Sequence, residues 1–306
     1  RAYFESGATR GADFRLAALK SLREALVKNE ALIFDALKAD LNKAPMESYM
    51  CENGLVLEEI RFHLKHLRRW MKERRVPTPL AQFHARSFVS PEPYGVALIL
   101  SPWNYPIQLC LSPLVGAISA GNCAVVKPSA YSAATSALLR RMAQELFAPE
   151  HVAVVEGGRE ENARLLEQRF DFIFFTGSPA VGKKVMAAAA EHLTPVTLEL
   201  GGRSPVILAP DADVELAAAR IAWGKFLNAG QTCVAPDHVW VPEGMAEPFV
   251  AALARERWNS SVRKATRLSR MLMALVRAAR KSRAKKAVPK KRPPGSSANM
   301  AGRLMK

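Results

Sequence analysis

Asn228–Cys233 reads Asn-Ala-Gly-Gln-Thr-Cys and sets a thiol among small and polar neighbours, just past a helical run at Leu216–Leu227. A thiol so placed is accessible and can be tuned toward thiolate, the form that attacks a carbonyl carbon. Cysteine is equally a small core hydrophobe, so Cys233 needs companions to count as a nucleophile. Glu199, within Leu198–Gly202 (Leu-Glu-Leu-Gly-Gly), is one. Its flanking leucines predict apolar surroundings and a raised pKa suited to a general base, with a buried pair to an Arg or Lys as the alternative. Asn104 follows Trp103 in a Pro-bounded turn. Its amide can donate to a developing oxyanion or cap the helix that follows.

Two further stretches suit anions. Gly177-Ser-Pro-Ala-Val-Gly182-Lys183 opens a helix after a strand, where free N–H groups and the helix dipole favour phosphate and glycines allow close approach. It fits the GxxxxGK spacing of a P-loop, yet Lys184 stands where a magnesium-binding Ser or Thr belongs, and it misses the GxGxxG dinucleotide fingerprint. A plain tight turn remains open. Lys127, in Lys127-Pro-Ser129 at a strand end, can reach ribose hydroxyls or phosphate, or serve as a surface charge.

The elements that must position these residues alternate. Apolar β-rich runs occur at Gly95–Leu100, Ala124–Val126, Val152–Val155, Phe170–Phe175 and Pro195–Leu200. Helix-like segments lie between them at Pro106–Ala120, Ala133–Leu146, Glu160–Gln168 and Val181–His192. This alternation predicts an α/β fold, a parallel sheet wrapped by helices with ligands at the strands' carboxyl ends. Pro102–Asn104, Lys127–Ser129 and Thr176–Ser178 all fall at such ends. Upstream, apolar spacing predicts one helical stretch from Asp13 to Leu41 and another from Glu47 to Trp70, ended by Arg74–Pro79. His63 and His66, one turn apart, read as solvated or packing residues. Downstream come a strand at Pro205–Leu208, an acidic helix start at Asp211 and Asp213, a strand at Val239–Val241 and a helix at Glu247–Arg255.

The 306 residues, 49% hydrophobic, are enough for two domains. Cys51, Cys110, Cys123 and Cys233 are widely spaced without a CxxC pair, which argues against a disulfide framework or a zinc site and fits a reducing cytoplasm. No apolar run approaches a membrane span, and the start carries no secretory pattern. The net charge is +16, yet residues 1–254 hold 27 basic and 27 acidic side chains, so the basicity belongs to residues 255–306. That tail carries one short apolar stretch, Met271–Val276, and reads as disorder or a loose helix. A tail-driven, nonspecific contact of Lys281–Arg292 with nucleic acid or acidic surfaces is the alternative to an enzyme. Aromatic interleaving is confined to Trp258, so nucleic acid is not the expected partner.

Taken in order, the motifs resemble the aldehyde dehydrogenase superfamily, above all its class 3, fatty-aldehyde and coniferyl-aldehyde-type branch. The likeness is carried by Leu57-Glu-Glu-Ile60, Pro102-Trp-Asn-Tyr-Pro106, Lys127-Pro-Ser129, Phe175-Thr-Gly-Ser178, His192–Gly202, Ile221–Lys225 and Asn228–Asp237, over about residues 1–255. The resemblance implies a Rossmann-like cofactor domain with N-terminal helices over residues 1–200 and the beginning of a catalytic domain over 201–255. It implies oxidation of a small-molecule aldehyde to a carboxylate with NAD or NADP. Cys233 would be the nucleophile, Asn104 with the Cys233 N–H would hold the oxyanion, and Glu199 would activate the hydrolytic water. The cofactor would be held by Trp103, Lys127, Ser129, Thr176, Gly177, Ser178, Val181, Gly182, Leu200 and Gly201, which decides the P-loop question for a dinucleotide.

Two departures from the family pattern stand out. Many members carry a Glu after Lys-Pro-Ser that accepts from the ribose 2′-hydroxyl, and here the residue is Ala130. The expectation is that NADP⁺ is tolerated. The family's later Glu-x-Phe-Gly-Pro segment and its oligomerisation strand are absent, so the family's homodimer lacks its assembly strand. The change of character near residue 255 reads as truncation or a shifted reading frame, with activity in doubt.

Overall fold

The computed structural model describes residues 1–259. The expectations for the basic tail, including Met271–Val276 and Lys281–Arg292, lie outside the described residues. The described residues form two compact units: Arg1–Ser204 with Gly230–Ala235, and Pro205–Ala229 with the described chain from Pro236.

In the first unit a short α1 (Ala2–Glu5) precedes α2 (Ala12–Lys28) and α3 (Glu30–Leu41). The single helix expected over Asp13–Leu41 is thus broken at Asn29. Its φ of −98° and ψ of 14° leave the helical region, and its side-chain amide donates to the Ala25 carbonyl at 2.9 Å. Asparagine competes with the backbone ladder in this way. The Glu47–Trp70 run divides too, into α4 (Pro45–Ser48), a π-helical turn at Tyr49–Asn53 and α5 (Gly54–Trp70). The wider turn buries Cys51, Glu52 and Asn53 together.

β1 (Arg74–Val76) and β2 (Ser87–Val89) pair antiparallel, a hairpin that the expected chain break there left out. The alternation that follows is β3 (Val96–Leu100), α6 (Gln108–Ala120), β4 (Cys123–Lys127), α7 (Ala133–Leu146), β5 (Val152–Val154), α8 (Arg159–Leu166), β6 (Phe172–Gly177), α9 (Pro179–Ala190) and β7 (Val196–Leu200). The five strands form one parallel sheet in the order β5-β4-β3-β6-β7. The chain winds outward from β3 to β5, then returns to β6 on the other side of β3. The switch point lies between β3 and β6, where open α/β sheets bind ligands.

Both faces of the sheet are covered, which is why its strands are continuous apolar runs. Ala97 and Ile99 of β3 join a cluster with Leu19, Leu26, Val115 and Leu139 from the helices of one face. Leu98 and Leu100 join Ile173, Phe175, Val185 and Ala189 on the other. Strand alternation alone divides them. α6 closes on Gly121 at φ 87°, where a Cβ would lie 2.4 Å from the Arg15 guanidinium. Only glycine fits there.

The second unit contains β8 (Ser204–Ile207) from Pro205 on, α10 (Val214–Phe226), β9 (Pro236–Trp240) and α11 (Ala246–Asn259). β8 and β9 pair with one another, and Leu208, Ala218, Phe249 and Ala252 form the local core. The acidic start of α10 is a cap: Asp213 Oδ1 accepts from the Leu216 amide at 3.0 Å. Among the described residues no helix is long and apolar enough to cross a membrane.

Candidate functional site

A cavity of about 890 Å³ opens at the carboxyl ends of β3 and β6. Eleven of the thirteen residues expected at a site line it: Trp103, Asn104, Ser129, Thr176, Gly177, Ser178, Val181, Glu199, Leu200, Gly201 and Cys233. The cavity belongs wholly to the first unit, because Gly230–Ala235 packs with that unit.

Cys233 reaches it through an unusual backbone. Asn228, Ala229 and Gly230 take φ of 50°, 55° and 78° in succession. Left-handed geometry at a non-glycine residue costs about 1–2 kcal/mol, and such strain persists where surrounding structure enforces it. The enforcing bonds lie next in the chain. Asn104 Nδ2 donates to the Gln231 carbonyl at 2.8 Å. The Tyr105 hydroxyl meets Thr232 Oγ1 at 2.5 Å. Both anchors come from the turn after β3, so the turn that carries the amide also fixes the segment that carries the thiol.

Cys233 is exposed while Cys51, Cys110 and Cys123 are buried. Burial pushes the Cys110 thiol up to about 12 and raises those of Cys51 and Cys123. Those three thiols stay protonated and inert. Cys233 is the one thiol that a substrate can meet.

Asn104 caps no helix: the residue before α6 is Ile107, without a side-chain cap. The cap is supplied from elsewhere, by Glu52 Oε2, which accepts from the amides of Ile107 at 2.9 Å and Gln108 at 3.0 Å.

Glu199 corrects an expectation. It is exposed, and Leu200 beside it is 37% exposed, so the apolar enclosure and buried pairing read from the leucines are not present. The reason is position: β7 is the last strand of the sheet, with no further strand paired to it among the described residues. Glu199 pairs in register with Thr176 on β6, which brings its carboxylate to the cavity wall.

Thr176 Oγ1 is buried without a hydrogen-bond partner, an orphaned group of the kind a bound polar ligand satisfies. Ser178 caps α9 through its Oγ, which accepts from Val181 N at 3.3 Å. α9 therefore presents its N-terminal turn to the cavity, and Pro179 fills its first position. At Gly177 a Cβ would lie 2.5 Å from Phe175 Cζ, while Gly201 and Gly202 face open space. Glycines, a helix N-terminus and an unsatisfied hydroxyl at a switch point fit a dinucleotide's polar groups.

Lys127 and Gly182 do not line the cavity. Lys127 is 3% exposed rather than a surface charge, and burial lowers its ammonium pKa, opposed by Glu161. Gly182 is buried in the first turn of α9, where a Cβ would meet Leu200 Cδ2 at 2.8 Å. It sets how closely helix and strand approach.

Other lining residues carried no distinct sequence signal. Tyr131 is 74% exposed beside Ser129, whose Oγ accepts from the Tyr131 amide at 3.2 Å. Gln108 and Ser112 also line the cavity, as do Gln231 and Thr232 of the thiol motif itself. His63 bonds Ser119 and Glu59, and among the described residues no group of His, Cys, Asp and Glu could hold a metal.

Comparison with known proteins gives a single direction. The profile of the aldehyde dehydrogenase family matches residues 1–304. Aldehyde dehydrogenase family 3 member B1 of Homo sapiens is 48% identical over 253 residues, covering 83% of this chain and 54% of the relative. The 4,4'-diaponeurosporen-aldehyde dehydrogenase of Staphylococcus aureus is 44% identical over 255 residues, covering 83% and 56%. Among solved structures, Staphylococcus aureus AldH in a substrate-bound state superposes with a TM-score of 0.81 at 44% identity, covering 83% of this chain and 56% of that one. Mycobacterium tuberculosis aldehyde dehydrogenase complexed with NAD+ gives a TM-score of 0.71 at 30% identity, covering 79% and 50%. The chain spans about half the length of the curated relatives it matches.

Proposed function

The chain belongs to the aldehyde dehydrogenase family, and from that premise we propose that it serves the NAD(P)⁺-dependent oxidation of an aldehyde to a carboxylate. One observation carries the reading. A single cavity brings together an exposed thiol at Cys233, an amide at Asn104 tied to the thiol's own segment, and a carboxylate at Glu199.

In this reading the Cys233 thiolate attacks the aldehyde carbon, and the carbonyl electron pair moves onto oxygen. The Asn104 amide and the Cys233 backbone N–H stabilise that oxyanion. NAD⁺ or NADP⁺, when bound, supplies the hydride acceptor. Loss of hydride leaves a thioester on Cys233. Glu199 takes a proton from water, the water oxygen attacks the thioester, and the Cys233 thiolate departs from the carboxylic acid. An exposed carboxylate suits this last step, because its water comes from solvent.

The N-terminal helices and five-stranded sheet serve as the cofactor domain. Trp103, Ser129, Thr176–Ser178, Val181, Leu200 and Gly201 bind from the cavity wall, with α9 near the phosphates. Lys127 acts at the ribose from its buried position, and Gly182 acts through the packing of α9. Ala130 is exposed and offers no carboxylate against a 2′-phosphate, so both cofactors are accepted.

The test follows the absorbance of reduced nicotinamide with a series of aldehydes, in the full chain and in Cys233→Ala. Aldehyde-dependent reduction that disappears in the variant supports the reading. Equal rates in both chains would sink it.

A further inference from the structure

We propose that the buried Lys43–Glu52 ion pair is the positioning device of the thiol segment, clamping Asn104–Gln108 so that Asn104 and Tyr105 hold Gln231 and Thr232 in front of Cys233. The proposal rests on Cys233 as nucleophile and Asn104 as oxyanion donor.

The pair is enclosed, with the side chains of Lys43 and Glu52 1% and 0% exposed and 2.5 Å apart. A buried ion pair is a weak stabiliser compared with apolar side chains of the same volume, so its presence asks for another reason. The bonds supply one. Glu52 uses one oxygen for Lys43 and the other for the Ile107 and Gln108 amides. Lys43 Nζ also reaches the Asn104 carbonyl at 3.4 Å and lies 4.6 Å from the centre of the Tyr105 ring. One ion pair thus grips both ends of the segment. From that segment, side chains of two consecutive residues bond two consecutive residues of the thiol segment, Gln231 and Thr232.

A pair of apolar side chains would fill the same space and hold neither end. The charge therefore orders the path Lys43–Glu52, Asn104–Tyr105, Gln231–Thr232, Cys233. Lys43 and Glu52 touch no substrate; they act through Asn104 and Tyr105.

The test uses the full chain and Lys43→Met/Glu52→Met, which removes both charges and the acceptor of the Ile107 and Gln108 amides together and leaves no lone buried ion. Tyr105→Phe, which removes only the hydroxyl bond, is the second variant should the double one lack a cooperative melt. Hydrogen exchange is followed by mass spectrometry in a peptide covering Gly230–Ala235 and in one covering Cys123–Lys127. The variant is expected to exchange at least about tenfold faster in the first and unchanged in the second. That readout requires no activity, so unchanged exchange at Gly230–Ala235 overturns the proposal whatever Cys233 does.

Two reactions of Cys233 supply the chemical readout. With p-nitrophenyl acetate the thiolate forms a C–S bond, an oxyanion develops and p-nitrophenolate leaves. With iodoacetamide the thiolate displaces iodide and no oxyanion forms. Acylation at least about tenfold slower with alkylation unchanged or faster supports positioning of the amide. An equal fall of both rates overturns it. p-Nitrophenolate release that survives in Cys233→Ala defeats the nucleophile reading instead, a separate outcome.

Discussion

Asn104 Nδ2 donates to the main-chain carbonyl of Gln231 at 2.8 Å, across 127 positions of sequence. The bond joins the turn after β3 to the residue two places before the thiol, so the proposed oxyanion donor and the proposed nucleophile are registered by one contact. Asn104→Ala removes both the donor and the tether. Aldehyde turnover should fall by about a hundred- to a thousandfold, as losing one oxyanion donor typically does. Steady-state kinetics in a folded variant check this, and a loss under about threefold would remove Asn104 from the chemistry.

Asn104, Glu199 and Cys233 each sit in a short local motif and line one cavity, and the five strands were legible because sheets covered on both faces read as apolar runs. What the sequence hid depends on distant partners. Glu52 has no local mark as a cap, since the amides it binds are those of Ile107 and Gln108. The break at Asn29 was masked by apolar spacing that continues through it. The burial expected of Glu199 failed because its leucine neighbours report the pattern of a strand, and only the strand order makes β7 an edge. For Lys127 the surface-charge alternative falls, since the side chain at the end of β4 is 3% exposed.

Ala130 makes a prediction about selectivity. With no carboxylate after Ser129, the preference for NAD⁺ over NADP⁺ should stay below about a hundredfold, or about 2.7 kcal/mol. Ala130→Glu should raise it by repelling the 2′-phosphate. Dissociation constants for both cofactors in both chains decide it, and a wild-type preference beyond that bound defeats the argument.

Gly177→Ala should injure the site twice. The new methyl would lie 2.5 Å from Phe175 Cζ, and Phe175 is 7% exposed within its cluster. Overpacking of this kind costs about 1–3 kcal/mol. In the proposed reading the Gly177 backbone also lines the cofactor's site. A cofactor at a hundred times its Kd adds about 2.7 kcal/mol to a folded binding domain. Thermal melts with and without NAD⁺ should show that gain in the unaltered chain and lose most of it in the variant.

His151 sets an acid limit on stability that is independent of catalysis. It is 4% exposed, among the rings of Tyr3, Phe14 and Phe147, and burial pushes its imidazole down from 6.5 to about 4. The unfolded chain takes up the proton near 6.5 and the folded chain only near 4, so between these values the unfolded state binds more protons. Stability therefore falls as the pH drops through that window, by about 1.4 kcal/mol per unit and about 3 kcal/mol in all. Above the window the imidazole is neutral in both states, so its contribution there does not change with pH. His151→Phe keeps an aromatic ring in the cluster and removes the titration. Urea midpoints measured across the window should slope less steeply with pH in the variant than in the parent, and parallel slopes would show that the charge of this ring plays no part in acid unfolding.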